Sequence, residues 1–304
     1  MSGHTIERMA ARVLIAAVVA TALASCGGDK AAQETKVAKR YEVPKELDRE
    51  LNDMELDSLK AMKITHHITR DEYWDGYGGV LASDEFEVWY PDGKVNSLQG
   101  MAMLKLAAEA RARTLKVFGT APAERVVIIC AGDIDMYSAS TGRQWWQYSR
   151  IVGDTISIQP PINLHTRGLL GVVGPREYYE WAIGKLSKGH APRWVEEGFA
   201  SYLAGEASVL EDLRQDMGTK PVAMSTSEME SALKREKDRQ ETRRAYYNAY
   251  RTVEEIVRAH GENAMGRFVV ALGASGDTNA ASQAAFGADF DQVVEAGRAW
   301  TKES

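Results

Sequence analysis

Cysteine is nearly missing from this chain: Cys26 and Cys130 are the only two in 304 residues, too few for a disulfide framework. A basic excess is missing too. Lys and Arg number 37 against 43 Asp and Glu, for a net charge of −6. With no basic block to offset that balance, the electrostatic footprint of a nucleic-acid binder is excluded. The chain has no internal repeat and no low-complexity tract, so no repeat architecture is expected. What is present is globular composition, 44% hydrophobic and 26% charged, over a length that suits one large domain or two small ones.

The apolar run from Val13 to Ala24 follows Arg8 and Arg12. It is shorter than the roughly 20 residues a bilayer-spanning helix needs, and it reads as the core of a cleaved signal peptide over residues 1–25. The run ends in Leu23-Ala24-Ser25-Cys26, which resembles the bacterial lipobox, whose cysteine is acylated and becomes the new N-terminus. That resemblance implies lipidation at Cys26, membrane attachment and an extracytoplasmic place in a bacterial cell envelope. More than one acyl chain anchors stably where a single chain binds only marginally. Loss of residues 1–25 removes two arginines and one glutamate and moves the net charge from −6 to −7. Cys130 then has no disulfide partner and, following Val126-Val127-Ile128-Ile129, is expected as a small apolar residue ending a buried strand.

Residues 26–45, small and polar with mixed charge, read as a lipidated flexible tether. Residues 46–83 form a helix and linker region, with Leu47, Leu51, Met54 and Leu59 spaced for an amphipathic helix to about Met62. A domain over residues 84–304 follows. Within it, Phe86, Val88 and Tyr90 alternate with Glu85 and Glu87, the period of a half-buried strand closed by Pro91-Asp92-Gly93. A helix is predicted from about Val95 to Val117, then an interior strand from Arg125 to Cys130 and a short strand from Ile156 to Gln159. From Leu169 the chain reads as helices punctuated by glycine. Ser225 and Glu228 are spaced as a capping box opening a charged helix that runs through Lys234 to Arg239. Strands with a helix first and helices alone afterwards predict an α+β domain, a small mixed or antiparallel sheet followed by a mainly helical C-terminal part.

Two blocks stand out chemically. The first is Val172-Val173-Gly174-Pro175-Arg176-Glu177-Tyr178-Tyr179-Glu180-Trp181, and the second is Pro192-Arg193-Trp194-Val195-Glu196-Glu197-Gly198-Phe199-Ala200-Ser201-Tyr202-Leu203. In an H-E-x-x-H helix, imidazoles four residues apart grip one zinc from one face. Here those two positions hold Arg176 and Glu180. Such a pair at helical spacing forms an ion pair, and arginine is not a zinc ligand.

With Phe86 to Tyr90, the helix ending Val117-Phe118-Gly119, the strand Val126 to Ile129 and the later block Ala245-Tyr246-Tyr247-Asn248-Ala249-Tyr250, these segments resemble the peptidase MA-like group of gluzincin metallopeptidases. That family's second signature reads P-x-W-L-x-E-G-x-A-x-Y. The resemblance covers most of the chain from about residue 84, through Gly261-Glu262-Asn263, Phe268, Leu272 and Phe286-Gly287. It implies a gluzincin-like fold, makes Glu177 a vestigial general base and Glu197 the third zinc ligand, and places Tyr246 and Tyr247 at the site's border. His190, just ahead of the second block, is a further border candidate. Arg176, Glu180 and Glu197 are then degenerate metal-site positions, no metal is assigned and no cofactor is expected. The Arg176 guanidinium is expected to stand in for the cation, bridging Glu180 and Glu197 so that Glu197 is not buried without counter-charge. His66, His67, His165 and His190 lack ligand spacing on one helix and are read as surface or satisfied histidines. Trp194, Phe199 and Tyr202 are read as core.

The leading expectation is a membrane-anchored lipoprotein with a catalytically inactive peptidase MA-like domain. It would bind a peptide or an envelope protein, with an edge strand for an extended peptide and Arg143, Trp145, Trp146 and Tyr148 as a contact surface. One alternative is an active hydrolase, either zinc-dependent or using Glu177 and Glu180 as an acid/base pair on peptides or glycans. Another is an envelope scaffold docking through Glu228 to Arg244. The expected partners are the membrane, through acylated Cys26, and a peptide or envelope protein; nucleic acid is not among them.

Overall fold

A computed structural model of the chain describes residues 65–67, 77–91, 94–216 and 223–302. The expected signal peptide, Cys26, the expected tether and the expected helix to Met62 lie outside the described residues. Among those described, no helix is long and apolar enough to cross a membrane.

Phe86, Val88 and Tyr90 are buried on one face of strand β3 (Phe86–Pro91) while Glu87 and Trp89 are half-buried on the other, as period-two alternation requires. Around it forms a six-stranded mixed sheet. In sequence order the others are β1 (Thr65–His67), β2 (Tyr77–Ala82), β4 (Val126–Cys130), β5 (Ser149–Val152) and β6 (Thr155–Ile158), and their spatial order is β1-β2-β3-β4-β6-β5. β1 and β2 pair antiparallel, as do β2 and β3 through Val80↔Trp89 and Leu81↔Val88, so the sheet begins before the expected boundary at residue 84. Parallel pairing of β3 with β4 and of β4 with β6 makes the centre. Helix α1 (Lys94–Phe118) is the first crossover, the connection that parallel neighbours need. Cys130 ends β4 at 1% exposure, and burial pushes its thiol up to about 12, so it packs as an inert apolar group.

After β4, Asp133 caps α2 (Ile134–Thr141) by accepting the Met136 N–H. The chain then enters the β5–β6 hairpin, where Gly153 at φ 59° supplies the left-handed backbone of a two-residue turn. From α3 (Pro161–Thr166) onward the chain is helical: α4 (Leu170–Leu186), α5 (Arg193–Ala204), α6 (Ala207–Asp216), α7 (Thr226–Arg235), α8 (Arg239–His260), α9 (Glu262–Ser275), α10 (Thr278–Phe286), α11 (Phe290–Gly297) and a closing turn at Ala299–Lys302.

Helix α4 is buried nearly all round, its charged Arg176, Glu177 and Glu180 included. Tyr178 meets Phe86 of the sheet at 5.8 Å between ring centroids, and Gly174 lets α1 approach, a Cβ there lying 3.3 Å from Leu106 and Met103. Trp194 and Phe199 are fully buried, whereas Tyr202 is half-buried against the core. The capping box at Ser225 and Glu228 forms. The charged helix it opens stops at Arg235, short of the expected Arg239. Glu236 turns into the left-handed region at φ 43° and Asp238 caps a new helix through the Glu241 N–H. The physical reason lies in tertiary contacts: Arg143, Gln147 and Tyr246 all hold the Glu236 carboxylate.

Candidate functional site

Helices α4 and α5 cross with their glutamates facing each other, and Arg176 fills the space between. Its Nη1 lies 2.6 Å from Glu177 and 3.6 Å from Glu180, and Nη2 contacts Glu197 directly. Its Nε is 3.2 Å from Glu206 and 3.3 Å from the Ser201 hydroxyl. A second guanidinium closes the other side: Arg193 reaches Glu180 at 2.8 Å, Glu196 at 3.3 Å and Glu197 at 2.5 Å. Glu197 is 0% exposed and Glu177 1%, so these charges are sustained by each other and not by water.

Helix α8 and strand β5 complete the shell. The Tyr246 hydroxyl sits 3.3 Å from Glu197 and donates at 3.0 Å to Glu236, while its ring lies 5.1 Å from the Arg176 guanidinium. The Ser149 hydroxyl, from β5, donates to the second oxygen of Glu177. Gly198 permits this assembly. A Cβ there would stand 2.5 Å from the Ala249 carbonyl, so only glycine lets α8 pass close enough to bring Tyr246 to Glu197.

Two guanidiniums face five carboxylates in this cluster, a deficit of positive charge that shows in the titrations. Burial pushes Glu177 up to about 7 against the pull of Arg176, and pushes Glu196 up to about 7 against Arg193. Burial acts upward on Glu180 too, but Arg193 and Arg176 together outweigh it and hold that carboxyl below its ordinary value. Tyr246 is driven well above the phenol range by burial and by the charges of Glu197 and Glu236, so its hydroxyl stays a donor.

Next to the cluster opens a cleft of about 620 Å³, with β5 on one side and α4, α7 and α8 on the other. β5 is an edge strand. Gln159 donates its N–H to the Tyr148 carbonyl at 2.9 Å, and with Ser149 opposite Ile158 this phases the ladder. The N–H and C=O groups of Ser149 and Ile151 therefore point off the open edge.

The structure brings Arg176, Glu177, Glu180, Glu197 and Tyr246 together. Tyr247 lies elsewhere: it packs edge-on to Trp300 at 5.9 Å in a small cluster with Leu210 and Tyr250. The two tyrosines are adjacent on α8 and so point apart by about 100°. His190 sits on the turn after α4 with its ring against Gly276 at the end of α9, outside the cleft lining. His165 is on α3, and His66 and His67 are in β1, the strand at the opposite end of the sheet from β5. Arg143, Trp146 and Tyr148 line the cleft, and Trp145 stands beside it at 44% exposure. Arg193, Glu206, Ser149 and Glu236 were not anticipated. Of these only Arg193 had a local signal, its spacing of four from Glu197.

No family model matches the chain, and no curated protein matches it. Among solved structures it is similar to the crystal structure of a mutant M1 zinc metallopeptidase from Deinococcus radiodurans, at 13% identity and a TM-score of 0.45. The similarity covers 78% of this chain and 52% of that one, so the chain spans about half the length of that structure.

The positions that the sequence resemblance gives to zinc ligands, Arg176, Glu180 and Glu197, do not fit that metal as they stand. Among the described residues no group of three or more His, Cys, Asp or Glu is arranged to hold a metal. The carboxylates that converge are occupied by guanidinium groups, and arginine cannot be a ligand.

Proposed function

We propose that this chain is a lipid-anchored, extracytoplasmic protein of the bacterial cell envelope, held by acylated Cys26. Its domain is peptidase MA-like, of the gluzincin superfamily; it has lost zinc and peptidase activity, and binds extended peptides along β5. One observation carries the reading: the Arg176 guanidinium reaches Glu177, Glu180 and Glu197 together, the positions that the family pattern gives to the general base and to two metal ligands. A fixed cation there supplies the charge that these acids need, but no activated water for Glu177 to deprotonate. The cleft beside it, walled by an edge strand with outward backbone groups, is suited to strand addition.

Hydrolysis by Glu177 and Glu180 alone is disfavoured by their saturation. Glu177 accepts from Arg176 on one oxygen and from Ser149 on the other. Glu180 has Arg176 on one oxygen and Arg193 on the other. Both Glu177 oxygens are hydrogen-bonded and both Glu180 oxygens face a guanidinium, so neither carboxylate stands free as a base for a substrate.

Metal analysis and peptide-cleavage assays of the purified full-length protein test this directly. The expected result is zinc far below one equivalent and no cleavage. Stoichiometric zinc, with cleavage abolished by a chelator, overturns it. The anchor is tested separately: Cys26→Ser is expected to move the protein from the membrane fraction to the soluble one.

A further inference from the structure

We propose that the cleft selects acidic peptides, an extended partner segment pairing with β5 while its carboxylate side chains are taken by Arg167 and Arg239. This rests on the peptide-binding reading above and adds the chemistry of what is bound.

The protein as a whole is acidic at −6, yet the residues lining the cleft include eight Lys and Arg against five Glu. Several of those cations are already matched. Arg176 and Arg193 belong to the buried cluster, Arg143 pairs with Glu236, Lys185 with Asp154 and Lys234 with Glu230, and Arg243 too has a partner. Arg167 and Arg239 differ. Neither has a carboxylate within ion-pair reach among the described residues, and each lies on an aromatic face instead, Arg167 5.3 Å from the Tyr148 ring centroid and Arg239 4.6 Å from that of Trp145. The Nε of Arg239 is buried with no hydrogen-bond partner, while Arg167 uses Nη2 to reach the Tyr148 hydroxyl at 3.3 Å.

Arg239, over the Trp145 ring, keeps its in-plane N–H groups, and Arg167 keeps those that Nη2 does not give to Tyr148; such an edge is the part that grips a carboxylate bidentately. Stacking also fixes each arginine before any ligand arrives, which lowers the ordering cost of binding. Both supporting rings belong to the segment that leads into β5, so the two charges are tied to the strand whose open edge carries Ser149 and Ile151. Trp181 adds a third unused donor. It lines the cleft at 3% exposure, and its Nε1 has no hydrogen-bond acceptor among the described residues. Edge-strand groups, an indole donor and two preorganised guanidiniums together call for a ligand with its own backbone amides and carboxylate side chains, which a polypeptide supplies and a nucleic acid does not.

The probe is a fluorescein-labelled octapeptide alternating Glu and Thr, compared by anisotropy with its counterpart carrying Gln for Glu, both titrated with full-length protein. The Glu peptide is expected to bind at least about tenfold tighter, as fits charge-assisted bonds to two arginines. That preference should shrink as NaCl rises from about 0.05 to about 0.5 M. Arg167→Gln and Arg239→Gln, with folding checked by circular dichroism, are each expected to weaken the Glu peptide about tenfold and leave the Gln peptide unchanged. N-methylation of alternate amides in the Glu peptide keeps its charge and is expected to abolish binding by blocking strand pairing. Equal affinity for the two peptides, or indifference to both arginine substitutions, overturns acidic selection and leaves peptide binding standing. If neither peptide binds, the peptide-binding reading fails and takes this inference with it.

Discussion

The ring of Tyr246 lies 5.1 Å from the Arg176 guanidinium while its hydroxyl reaches Glu197, which the same guanidinium contacts at its edge. Arg176 thus has an aromatic group on its face and carboxylates around its rim, so nearly every surface of a fully charged side chain is matched inside the protein. The centre where three helices meet is polar, and its arginine is matched although carboxylates outnumber guanidiniums there. A stability role for that centre and a binding role for the cleft beside it are separable by substitution.

Removal of Arg176 is expected to be severe. In Arg176→Ala, Glu177, Glu180, Glu197 and Glu206 remain buried with only Arg193 as counter-charge. Breaking a buried pair from one side costs about 3–5 kcal/mol, so the urea midpoint should fall sharply. Arg176→Lys should be intermediate, because an ammonium is a point charge that cannot span four carboxylates as a planar fork does. A midpoint within error of wild type in Arg176→Ala would show the cluster to be energetically idle.

Stability should depend on pH with a sign set by the raised carboxylates. Glu177 and Glu196 move from an ordinary 4.5 to about 7 in the folded state, so between those values the folded chain binds more protons than the unfolded one. Their contribution is fully present below about pH 4.5, declines as pH rises and is lost above about 7. Glu180, held low by Arg193 and Arg176, acts oppositely: its contribution is present above its unfolded value and lost as pH falls through its folded one. Thermal melts should therefore show Tm falling by on the order of 10 °C between pH 5 and pH 7.5. In Glu177→Gln, which stays neutral throughout, that slope should be reduced.

Gly198→Ala tests the close approach of α5 and α8. The added Cβ meets the Ala249 carbonyl carbon and oxygen at 2.8 and 2.5 Å, and backbone cannot swing aside as a side chain does. Overpacking of this kind costs about 1–3 kcal/mol. Since α8 carries Tyr246, the shift should also weaken its contact with Glu197, and Tyr246→Phe should then cost less in the Gly198→Ala background than in wild type, a double-mutant cycle read by urea unfolding.

Much of the frame was legible because its signals are local. Phe86, Val88 and Tyr90 announced a strand by alternation, and Ser225 and Glu228 announced a helix start by their spacing. Strands β1, β2 and β5 left no such mark. β5 has four residues, half of them exposed and half intermediate, and becomes a strand only because β6 offers it an edge. At the site, Arg176, Glu180 and Glu197 were readable as one group because two helical blocks carry them in order. Glu206 and Ser149 were not, since they arrive through the chain reversal at Gly205 and from the edge strand β5. Tyr247 was read alongside its neighbour Tyr246, and helical geometry sends the two in different directions.

Installing histidines tests whether the frame fits the gluzincin pattern that the sequence resembles. In a double variant Arg176→His, Glu180→His, two imidazoles would project from one face of α4 at a spacing of four, toward Glu197 on α5. Three protein ligands and an open position are what a catalytic zinc site needs. Arg193 opposes this, because it remains 2.5 Å from Glu197 and competes with a metal for that carboxylate. The double variant should therefore bind zinc more weakly than a triple variant that also carries Arg193→Leu. Both should be less stable than wild type without metal and gain Tm when zinc is added, since binding only the folded state stabilises it. Wild type should show no such gain. Metal content after dialysis and melts with and without chelator provide the readout. If neither variant takes up zinc while both remain folded, α4 and α5 do not hold these three positions at ligand distance, and the match to the gluzincin pattern is one of sequence alone.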